Sequence, residues 1–262
     1  MTLTVPVADW SGRDYSRVSS LQRTVAAETL AELLVDGSEW VLDVGCGDGF
    51  LTREIADRLP RGCIIGIDAS PRMVAAARQA GPPGRAGPVF VCGDARRLPF
   101  GSSFDMVVSF NALHWVPQLG EALTGIAEAL RPGGRALIQM VCDSARPSIE
   151  STAMQVASSQ RWASYFTGFE APFAHPDPAA FGELAQRCGL HVDSLTVRDR
   201  EWDFESTAKF TAWCTVGCTA WTDHIPEADR AGFIDDMVAA YEPVAGRPGL
   251  FRFMQLRAEL HT

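Results

Sequence analysis

Residues 40–50 of the chain have the sequence WVLDVGCGDGF, an apolar run followed by a glycine at every second position. A short apolar run bounded by glycine is typical of a buried β-strand. Gly45, Gly47 and Gly49 then form a G-x-G-x-G loop, and residues 50–59, FLTREIADRL, have the pattern of a helix. Glycine allows such a loop to turn sharply and to bring its backbone close to a ligand. The stretch therefore predicts a strand–loop–helix unit with a ligand site at the turn.

Strands and helices alternate onward from this unit. Further apolar runs predict strands at 63–70, 89–95, 104–113 and 135–142, and amphipathic runs predict helices at 71–80 and 120–130. Alternation of this kind indicates βαβ units, whose right-handed crossovers produce a parallel, doubly wound sheet. Ligands of such sheets bind at the carboxyl ends of the strands, close to the point where the strand order reverses.

The flanking sequence has different patterns. Leucine and valine recur at helical spacing in 21–34, and residues 144–180 are rich in proline, serine and aromatic residues. Later segments predict helices at 181–190, 206–221 and 227–241, a strand at 191–204 and a last strand, alternating in polarity, at 250–260. These elements predict an α/β fold with a mostly parallel seven-stranded sheet, an antiparallel last strand and a helical cap.

We expect three regions along the chain. An N-terminal helical cap covers 1–39, a ligand-binding doubly wound core covers 40–143, and a substrate-side region covers 144–262. The last region supplies an insert, cap helices and the last two strands of the sheet. No internal repeat or low-complexity run interrupts this order.

The composition limits the classes of function. The chain has 262 residues, of which 47% are hydrophobic and 21% charged, as in globular proteins. Its net charge of −9 argues against a nucleic-acid or anionic-membrane partner. No apolar run is long enough to span a membrane, and the first ten residues lack the features of a secretory signal. Seven cysteines without a C-x-x-C pair predict reduced thiols, a cytoplasmic location and no metal site.

Carboxylates accompany the first three predicted strands. Asp43 precedes Gly45 by two residues, Asp68 ends the second strand, and Asp94 ends the third. A carboxylate at Asp43 would repel a pyrophosphate but would suit a cationic amino-acid group. Asp68 occupies the place from which an acidic residue accepts ribose hydroxyls in dinucleotide-binding folds, and Asp94 can accept from an exocyclic amine. Together they predict a site for a nucleoside with a cationic, unphosphorylated tail.

The glycine loop, these carboxylates and the turn LRPGG at 130–134 resemble the class I S-adenosylmethionine-dependent methyltransferases. The resemblance implies a Rossmann-like methyltransferase fold, S-adenosyl-L-methionine as cofactor and S-adenosyl-L-homocysteine as product. By the same resemblance, Asp43 and the three glycines would hold the methionine end of the cofactor. Asp68 would accept both ribose hydroxyls, with Ala69 beside it.

The resemblance also assigns the adenine side. Met73 would pack on the adenine, Asp94 and the Ala95 amide would bind its edge, and the Asn111 backbone would line the methionine side. The main rival, a nicotinamide-dependent dehydrogenase, would require the spacing G-x-G-x-x-G and no carboxylate at Asp43.

Two segments are candidates for the substrate side. Residues 110–117, FNALHWVP, follow the fourth strand and contain His114 and Trp115, and residues 14–22, DYSRVSSLQ, lie near the N-terminus. His114 is a candidate catalytic residue, although a packed and hydrogen-bonded histidine explains it equally well.

This pair of segments resembles the small-molecule carboxyl methyltransferases, such as the trans-aconitate and juvenile hormone acid enzymes. In that group a glutamine and a tryptophan hold the substrate carboxylate, and the matching residues here are Gln22 and Trp115. Tyr15 and Arg17 would then face the substrate.

Aromatic residues are concentrated in 160–221. They are either ordinary core or the wall of a pocket for an apolar substrate, and the candidate wall residues are Tyr165, Phe169 and Trp213. Glu170 is a carboxylate within this aromatic sequence. We therefore expect a methyltransferase acting on a small molecule with an apolar body.

The acceptor atom has two candidate identities. The first is a carboxylate oxygen, and the second is an alkene carbon of a prenyl-type substrate, for which aromatic rings would stabilise a carbocation and Glu170 would remove the proton. A binding module that keeps the fold without catalysis is least favoured, because the whole set of cofactor residues is present. The acceptor and the oligomeric state stay open.

Overall fold

The computed structural model describes residues 20–80 and 87–262 of the chain. Its strands are β1 Trp40–Val44, β2 Cys63–Asp68, β3 Val89–Cys92, β4 Phe104–Phe110, β5 Leu130–Val141, β6 His191–Asp203 and β7 Leu250–His261. Its helices are α1 Ser20–Glu32, α2 Phe50–Ala56, α3 Pro71–Gln79, α4 Leu119–Ala129, α5 Ile149–Ala157, α6 Pro178–Arg187, α7 Thr207–Gly217, α8 Thr219–Thr222 and α9 Glu227–Ala245. Short 3₁₀ turns are Ala95–Arg97, Leu113–Trp115 and Ala163–Tyr165.

The seven strands form one sheet in the order β3-β2-β1-β4-β5-β7-β6. Strand β7 pairs antiparallel with both β5 and β6, whereas β1 to β5 pair in parallel. The predicted doubly wound sheet with an antiparallel last strand is therefore confirmed. The strand order reverses between β1 and β4, and a crevice at the carboxyl ends of these two strands is the expected ligand site.

The centre of the sheet is buried on both faces. Val41 and Leu42 of β1 and Val107 and Val108 of β4 have no exposed surface. Parallel strands covered by helices on both sides have this continuous apolar character, since the connecting helices pack on each face. The rigid centre fixes the positions of the loops that leave the carboxyl ends of the strands.

A second hydrophobic cluster lies among α5, α7, α9 and β7. It contains most of the aromatic residues of 160–221, including Trp162, Phe166, Phe210 and Trp221, so packing accounts for much of the aromatic concentration. The hydroxyl of Tyr241 on α9 donates a 2.6 Å hydrogen bond to the Arg252 carbonyl and so joins this cluster to β7. None of the described helices is long and apolar enough to cross a membrane.

Helix α5 is the element that the sequence pattern did not predict. Ser148 caps it, and the Ser148 hydroxyl accepts a 3.0 Å hydrogen bond from the Ser151 amide. Its serine and threonine residues have modest helix propensity, and tertiary burial stabilises the helix instead. The predicted helix 206–221 is divided at Cys218 into α7 and α8. The division of the chain into the three expected regions stays a prediction.

Candidate active site

A cleft of about 260 Å³ lies at the carboxyl ends of β1, β2 and β4. Of the ten predicted cofactor residues, those that line it are Asp43, Gly45, Gly47, Asp68, Ala69, Met73, Asp94, Ala95 and Asn111. Gly49 is not among the lining residues. It lies at the N-cap of α2, where a Cβ atom would lie 2.5 Å from the Phe90 ring. The sheet order thus brings the predicted cofactor residues into one concave site.

The glycine loop presents bare backbone to the cleft. Gly45 and Gly47 both have positive φ angles, 81° and 54°. A Cβ atom on Gly45 would lie 2.1 Å from the Cβ of Ala112, whereas a Cβ on Gly47 would meet no atom within 4 Å. Gly45 is therefore required for packing, and Gly47 leaves open space beside the cleft. That space fits a cofactor held against the loop.

Asp68 is oriented by the loop that it faces. Its Oδ2 atom accepts a 2.9 Å hydrogen bond from the Gly47 amide, and its Oδ1 atom accepts a 2.9 Å bond from the Ser70 amide. Burial raises the pKa of the carboxyl, and these two bonds oppose the increase. An ionised carboxylate has about four acceptor sites, so capacity for two hydroxyl donors remains.

Asp43 is almost completely buried beneath the cleft. Its exposed fraction is 2%, and its Oδ2 atom accepts a 2.6 Å hydrogen bond from the Thr52 hydroxyl. Burial raises its pKa to about 7; the bond from Thr52 lowers it, and the charge of Asp68 raises it. A cationic group in the cleft would therefore favour the ionised form of Asp43.

Asp94 lines the cleft, but its carboxylate is hydrogen-bonded to a neighbouring arginine. Its oxygens accept hydrogen bonds from the Arg96 amide at 2.9 Å and from the Arg96 guanidinium at 2.6 to 3.0 Å. These bonds hold the pKa of Asp94 below its usual range. Arg96 also donates to the Gln118 side chain at 3.1 Å. Binding an adenine amine would require Asp94 to share acceptor sites with Arg96, so the assigned role of Asp94 stays a prediction.

Asn111 has a left-handed backbone conformation at the end of β4. Its φ angle is 54°, which is uncommon outside glycine and which asparagine tolerates better than most residues. Its amide donates to the Gln139 carbonyl at 2.8 Å, and its side-chain oxygen accepts from Gln255 at 3.1 Å. Hydrogen bonds from β5 and β7 thus hold this conformation.

A second cavity of about 100 Å³ adjoins the cleft. Its lining residues are Leu21, Val25, Asn111, His114, Trp115, Val141, Ile149, Glu150, Trp213, Val216, Gly217, Cys218, Trp221, Phe251 and Phe253. Val25, Asn111 and Trp115 line both spaces, so the two spaces meet at these residues. The predicted residues His114, Trp115 and Trp213 therefore belong to one aromatic cavity beside the cleft.

His114 is a neutral histidine in this wall. It is only 4% exposed, and burial together with neighbouring His175 lowers its pKa well below the ordinary value. Its Nδ1 atom lies 3.5 Å from the Val141 amide, which fits a neutral ring that accepts at this nitrogen. Such a ring can offer a hydrogen bond to a ligand but carries no charge near neutral pH.

Three predicted residues line neither space. The Tyr165 hydroxyl donates to Asp229 at 3.0 Å, the Phe169 ring packs 4.7 Å from the His224 ring, and Glu170 is exposed. The reason is that neighbouring Phe166 is buried, with its ring 5.5 Å from that of Phe233, and this contact directs the segment onto α9. The aromatic sequence around Glu170 is therefore core, and it leaves the carboxylate at the surface.

Three further predicted residues belong to the N-terminal segment. Tyr15 and Arg17 lie outside the described residues, and the side chain of Gln22, on α1, is likewise outside the description. Leu21 and Val25 on the same helix line the second cavity. Helix α1 therefore borders the candidate substrate space.

Glu150 is a charged residue of the candidate site that sequence reasoning missed. It lies in the first turn of α5, is 8% exposed and lines the second cavity. Because α5 was not predicted, Glu150 could not be assigned to the buried or the exposed face of a helix. Helical spacing from Glu150 to the small residues Ala153 and Ala157 is the signal that could have found it. Across residues 20–80 and 87–262, no group of three or more histidine, cysteine, aspartate or glutamate side chains could hold a metal ion.

Comparison with known proteins gives a consistent result. The model of the family described as "Methyltransferase domain" matches residues 41–134. A trans-aconitate 2-methyltransferase from Streptomyces avermitilis is 33% identical over 196 residues, 71% of this chain and 71% of the relative. The enzyme of the same name from Methylobacterium radiotolerans is 29% identical and covers 90% of each chain.

A solved structure shares the fold. Haemonchus contortus phosphoethanolamine N-methyltransferase 2, in complex with S-adenosyl-L-methionine, superposes with a TM-score of 0.61 at 18% identity. The alignment covers 95% of this chain and 56% of that one. The sequence relatives are methyltransferases, and the structural neighbour has the same fold.

Proposed function

Because the chain belongs to the class I S-adenosylmethionine-dependent methyltransferases, we propose that it methylates the carboxylate oxygen of a small acid with an apolar body. The observation that carries this proposal is the aromatic cavity that meets the cofactor cleft at Asn111 and Trp115. A substrate in this cavity would present one end at the junction with the cleft. The names of the two relatives, both trans-aconitate 2-methyltransferases, support a carboxylic acid as acceptor.

The cleft residues fit the cofactor by charge and shape. S-adenosylmethionine, when bound, supplies a methyl group on a sulfonium and is left as S-adenosylhomocysteine. We propose that Asp68 accepts the ribose hydroxyls, that Asp43 offers negative charge to the methionine ammonium, and that Gly47 leaves space for the chain between them. The apolar walls would exclude water from the acceptor.

A carboxylate acceptor needs no general base, because it is already an anion near neutral pH. The lowered pKa of His114 makes its ring a weak base, which agrees with a reaction that needs none. We propose that the Trp115 indole and the Gln22 amide donate hydrogen bonds to the carboxylate and orient one oxygen toward the methyl group. Orientation of this kind is a main source of rate in an in-line transfer.

The charges of the second cavity favour a monocarboxylate. Within the described part of the chain, no arginine or lysine lines this cavity, whereas Glu150 does. A tricarboxylate such as trans-aconitate would bring additional negative charge against a buried carboxylate, which is unfavourable. We therefore propose one carboxylate at the Trp115 junction and an apolar body in the cavity.

Carbon methylation with Glu170 as the base receives no support from the geometry, because Glu170 is exposed and lines neither space. We propose a cytoplasmic location, because seven cysteines without a C-x-x-C pair are typical of a reducing compartment.

The experiment is a methylation assay with cofactor labelled on its methyl group. Butanoate, pentanoate and hexanoate are compared with trans-aconitate, and the product is treated with alkali. We expect label on the monocarboxylates, released as methanol, and little on trans-aconitate. Label that resists alkali would contradict oxygen methylation of a carboxylate, and preference for trans-aconitate would contradict the monocarboxylate class.

Trp115→Phe tests the orienting residue. We expect turnover to fall by about tenfold or more, in line with loss of a hydrogen bond to a charged group, with cofactor affinity unchanged. Trp40→Phe is the matched control, since Trp40 is 48% exposed and lines neither space. Equal turnover of the two variants would remove Trp115 from the proposed site.

A further inference from the structure

The Glu150 carboxylate faces the second cavity without a hydrogen-bond donor among the described residues. It is 8% exposed, and its ion-pair contact among the described residues is with the Nε2 atom of His175, at 3.9 Å. That distance is too long for a hydrogen bond. We infer that the second cavity is a subsite for an ammonium group of the acceptor, with Glu150 as its counter-ion. The inference rests on the proposed function and specifies the substrate class further.

The protein itself does not neutralise Glu150. Burial lowers the pKa of His175, although the charges of Glu150 and Asp143 oppose the decrease, so this ring is neutral near pH 7. The Nε2 atom of His175 is buried and has no hydrogen-bond partner in the described structure. His114 is also neutral. An unpaired buried carboxylate is costly, and a cationic ligand would remove the cost.

The position of Glu150 partly explains how it is tolerated in the absence of a ligand. It lies in the first turn of α5, where the helix dipole stabilises a negative charge. That contribution is small compared with the cost of a buried charge. The remaining cost favours a partner that enters from the cavity.

The walls around Glu150 suit a cation. Three tryptophans and two phenylalanines line the cavity, namely Trp115, Trp213, Trp221, Phe251 and Phe253. Aromatic faces attract ammonium groups through their quadrupoles, most strongly where water is excluded. The buried Tyr241 hydroxyl has its pKa raised to about 12, chiefly by burial, with a contribution from the Glu150 charge. Rings and one carboxylate together form the chemical environment of an amine site.

The two ends of the site define the acceptor. A carboxylate held at Trp115, beside the cleft, and an amine held at Glu150 describe an apolar amino acid. The cavity volume of about 100 Å³ is smaller than the 150 Å³ that accommodates benzene, so a short aliphatic segment suits it. The subsite recognises the amine, and methylation takes place at the other end.

Three isosteric acids test this inference by calorimetry on the protein saturated with S-adenosylhomocysteine. They are 5-aminopentanoate, 5-hydroxypentanoate and hexanoate, which differ only in the terminal group. We expect 5-aminopentanoate to bind about tenfold more tightly or better than either of the others, as charge-assisted contacts imply. Equal affinities would overturn the inference, and equal affinity of the amine and the alcohol would indicate a site for neutral donors instead.

Glu150→Gln keeps the shape of the side chain and removes its charge. The preference for 5-aminopentanoate should disappear in this variant and persist in Glu227→Gln, which alters an exposed carboxylate in the first turn of another helix. A preference that survives in Glu150→Gln would overturn the assignment of Glu150. If Glu150→Gln fails to fold, the ranking of the three acids on the unmodified protein still decides.

Pentylamine separates this inference from the proposed function. Glu150-dependent binding of pentylamine without any alkali-labile methyl ester from the acids would support the subsite and contradict carboxylate methylation. Ester formation on hexanoate at the same efficiency as on 5-aminopentanoate would support carboxylate methylation and overturn the ammonium subsite.

Discussion

Replacing Asp43 by asparagine should change the stability of the cofactor-free protein in a pH-dependent way. Relative to the parent protein, the variant should be more stable at pH 8 than at pH 5. The folded carboxyl has a pKa of about 7, against an ordinary value of 3.8, because burial penalises its charged form. The folded state therefore holds this proton up to about pH 7, whereas the unfolded chain releases it near pH 4. Stability contributed by the group is present at low pH and declines as the pH rises from about 4 to about 7.

The magnitude follows from linkage. One pKa unit corresponds to about 1.4 kcal/mol, so between pH 5 and pH 7 the aspartate loses roughly 2.7 kcal/mol of unfolding free energy that the asparagine keeps. Asparagine also introduces an NH₂ group, whose burial without an acceptor costs about 1–3 kcal/mol. That cost does not vary with pH. The change in the difference between the two proteins is therefore the quantity that isolates the ionisation.

Urea unfolding at pH 5, 6, 7 and 8 measures this difference. We expect the unfolding free energy of Asp43→Asn, minus that of the parent protein, to increase by about 2–3 kcal/mol from pH 5 to pH 8. Glu54→Gln, an exposed carboxylate on the same helix as Thr52, should show no such increase. A difference that is the same at pH 5 and pH 8 would refute the raised pKa.

The same charge should contribute to cofactor binding. S-adenosylhomocysteine keeps the amino-acid ammonium of the cofactor without the sulfonium, so its affinity for the parent protein should increase as Asp43 ionises between pH 6 and pH 8. Asp43→Asn should remove this pH dependence and weaken binding by about tenfold or more at pH 8. A charge that destabilises the empty fold would thus be retained because it binds the cofactor.

Three further substitutions test the remaining parts of the site. Asp68→Ala should weaken S-adenosylmethionine binding by at least about tenfold with the fold intact, measured by calorimetry and circular dichroism, since two charge-assisted bonds are lost; unchanged affinity would contradict its ribose role. Gly47→Ala should weaken binding by about tenfold or more, whereas Gly133→Ala, also at a positive φ and in open space but outside the cleft, should cost only stability, about 1 kcal/mol by urea unfolding. Glu170→Gln should keep turnover within about twofold in the labelled-methyl assay, because this carboxylate is exposed, and a loss of about 10²-fold would restore it as a general base.

The convergence of the predicted cofactor residues on one cleft was predictable from sequence for a geometric reason. Parallel strands end at one edge of the sheet, so residues that close successive strands must meet there. Asp68 and Gly47 illustrate this, since they are distant in the chain and share a 2.9 Å hydrogen bond. The roles of individual side chains were less predictable. Asp94 ends its strand as expected, yet the adjacent Arg96 occupies its oxygens, and only the local turn Ala95–Arg97 produces that contact.

The substrate side was harder to predict because its elements lack a regular pattern. The second cavity forms where α1, α5, α7 and β7 meet the turn Leu113–Trp115, and these elements come from distant parts of the chain. His114 and Trp115 were predicted for the substrate side because they follow a strand of the core, and both line the second cavity. Trp213 was found among many aromatic residues, most of which are core, so its selection did not rest on a distinctive signal.

Two glutamates show which local signal predicts a buried carboxylate. Glu170 lies among aromatic neighbours, but these rings pack on α9 and no periodicity ties the glutamate to their face. Glu150 lies among serine and threonine residues, yet helical spacing puts it on one line with Ala153 and Ala157, both of which are buried. A charged residue within the small, apolar stripe of a helix must be buried when the helix packs. Periodicity therefore predicts the environment of a carboxylate better than the polarity of its neighbours in sequence does.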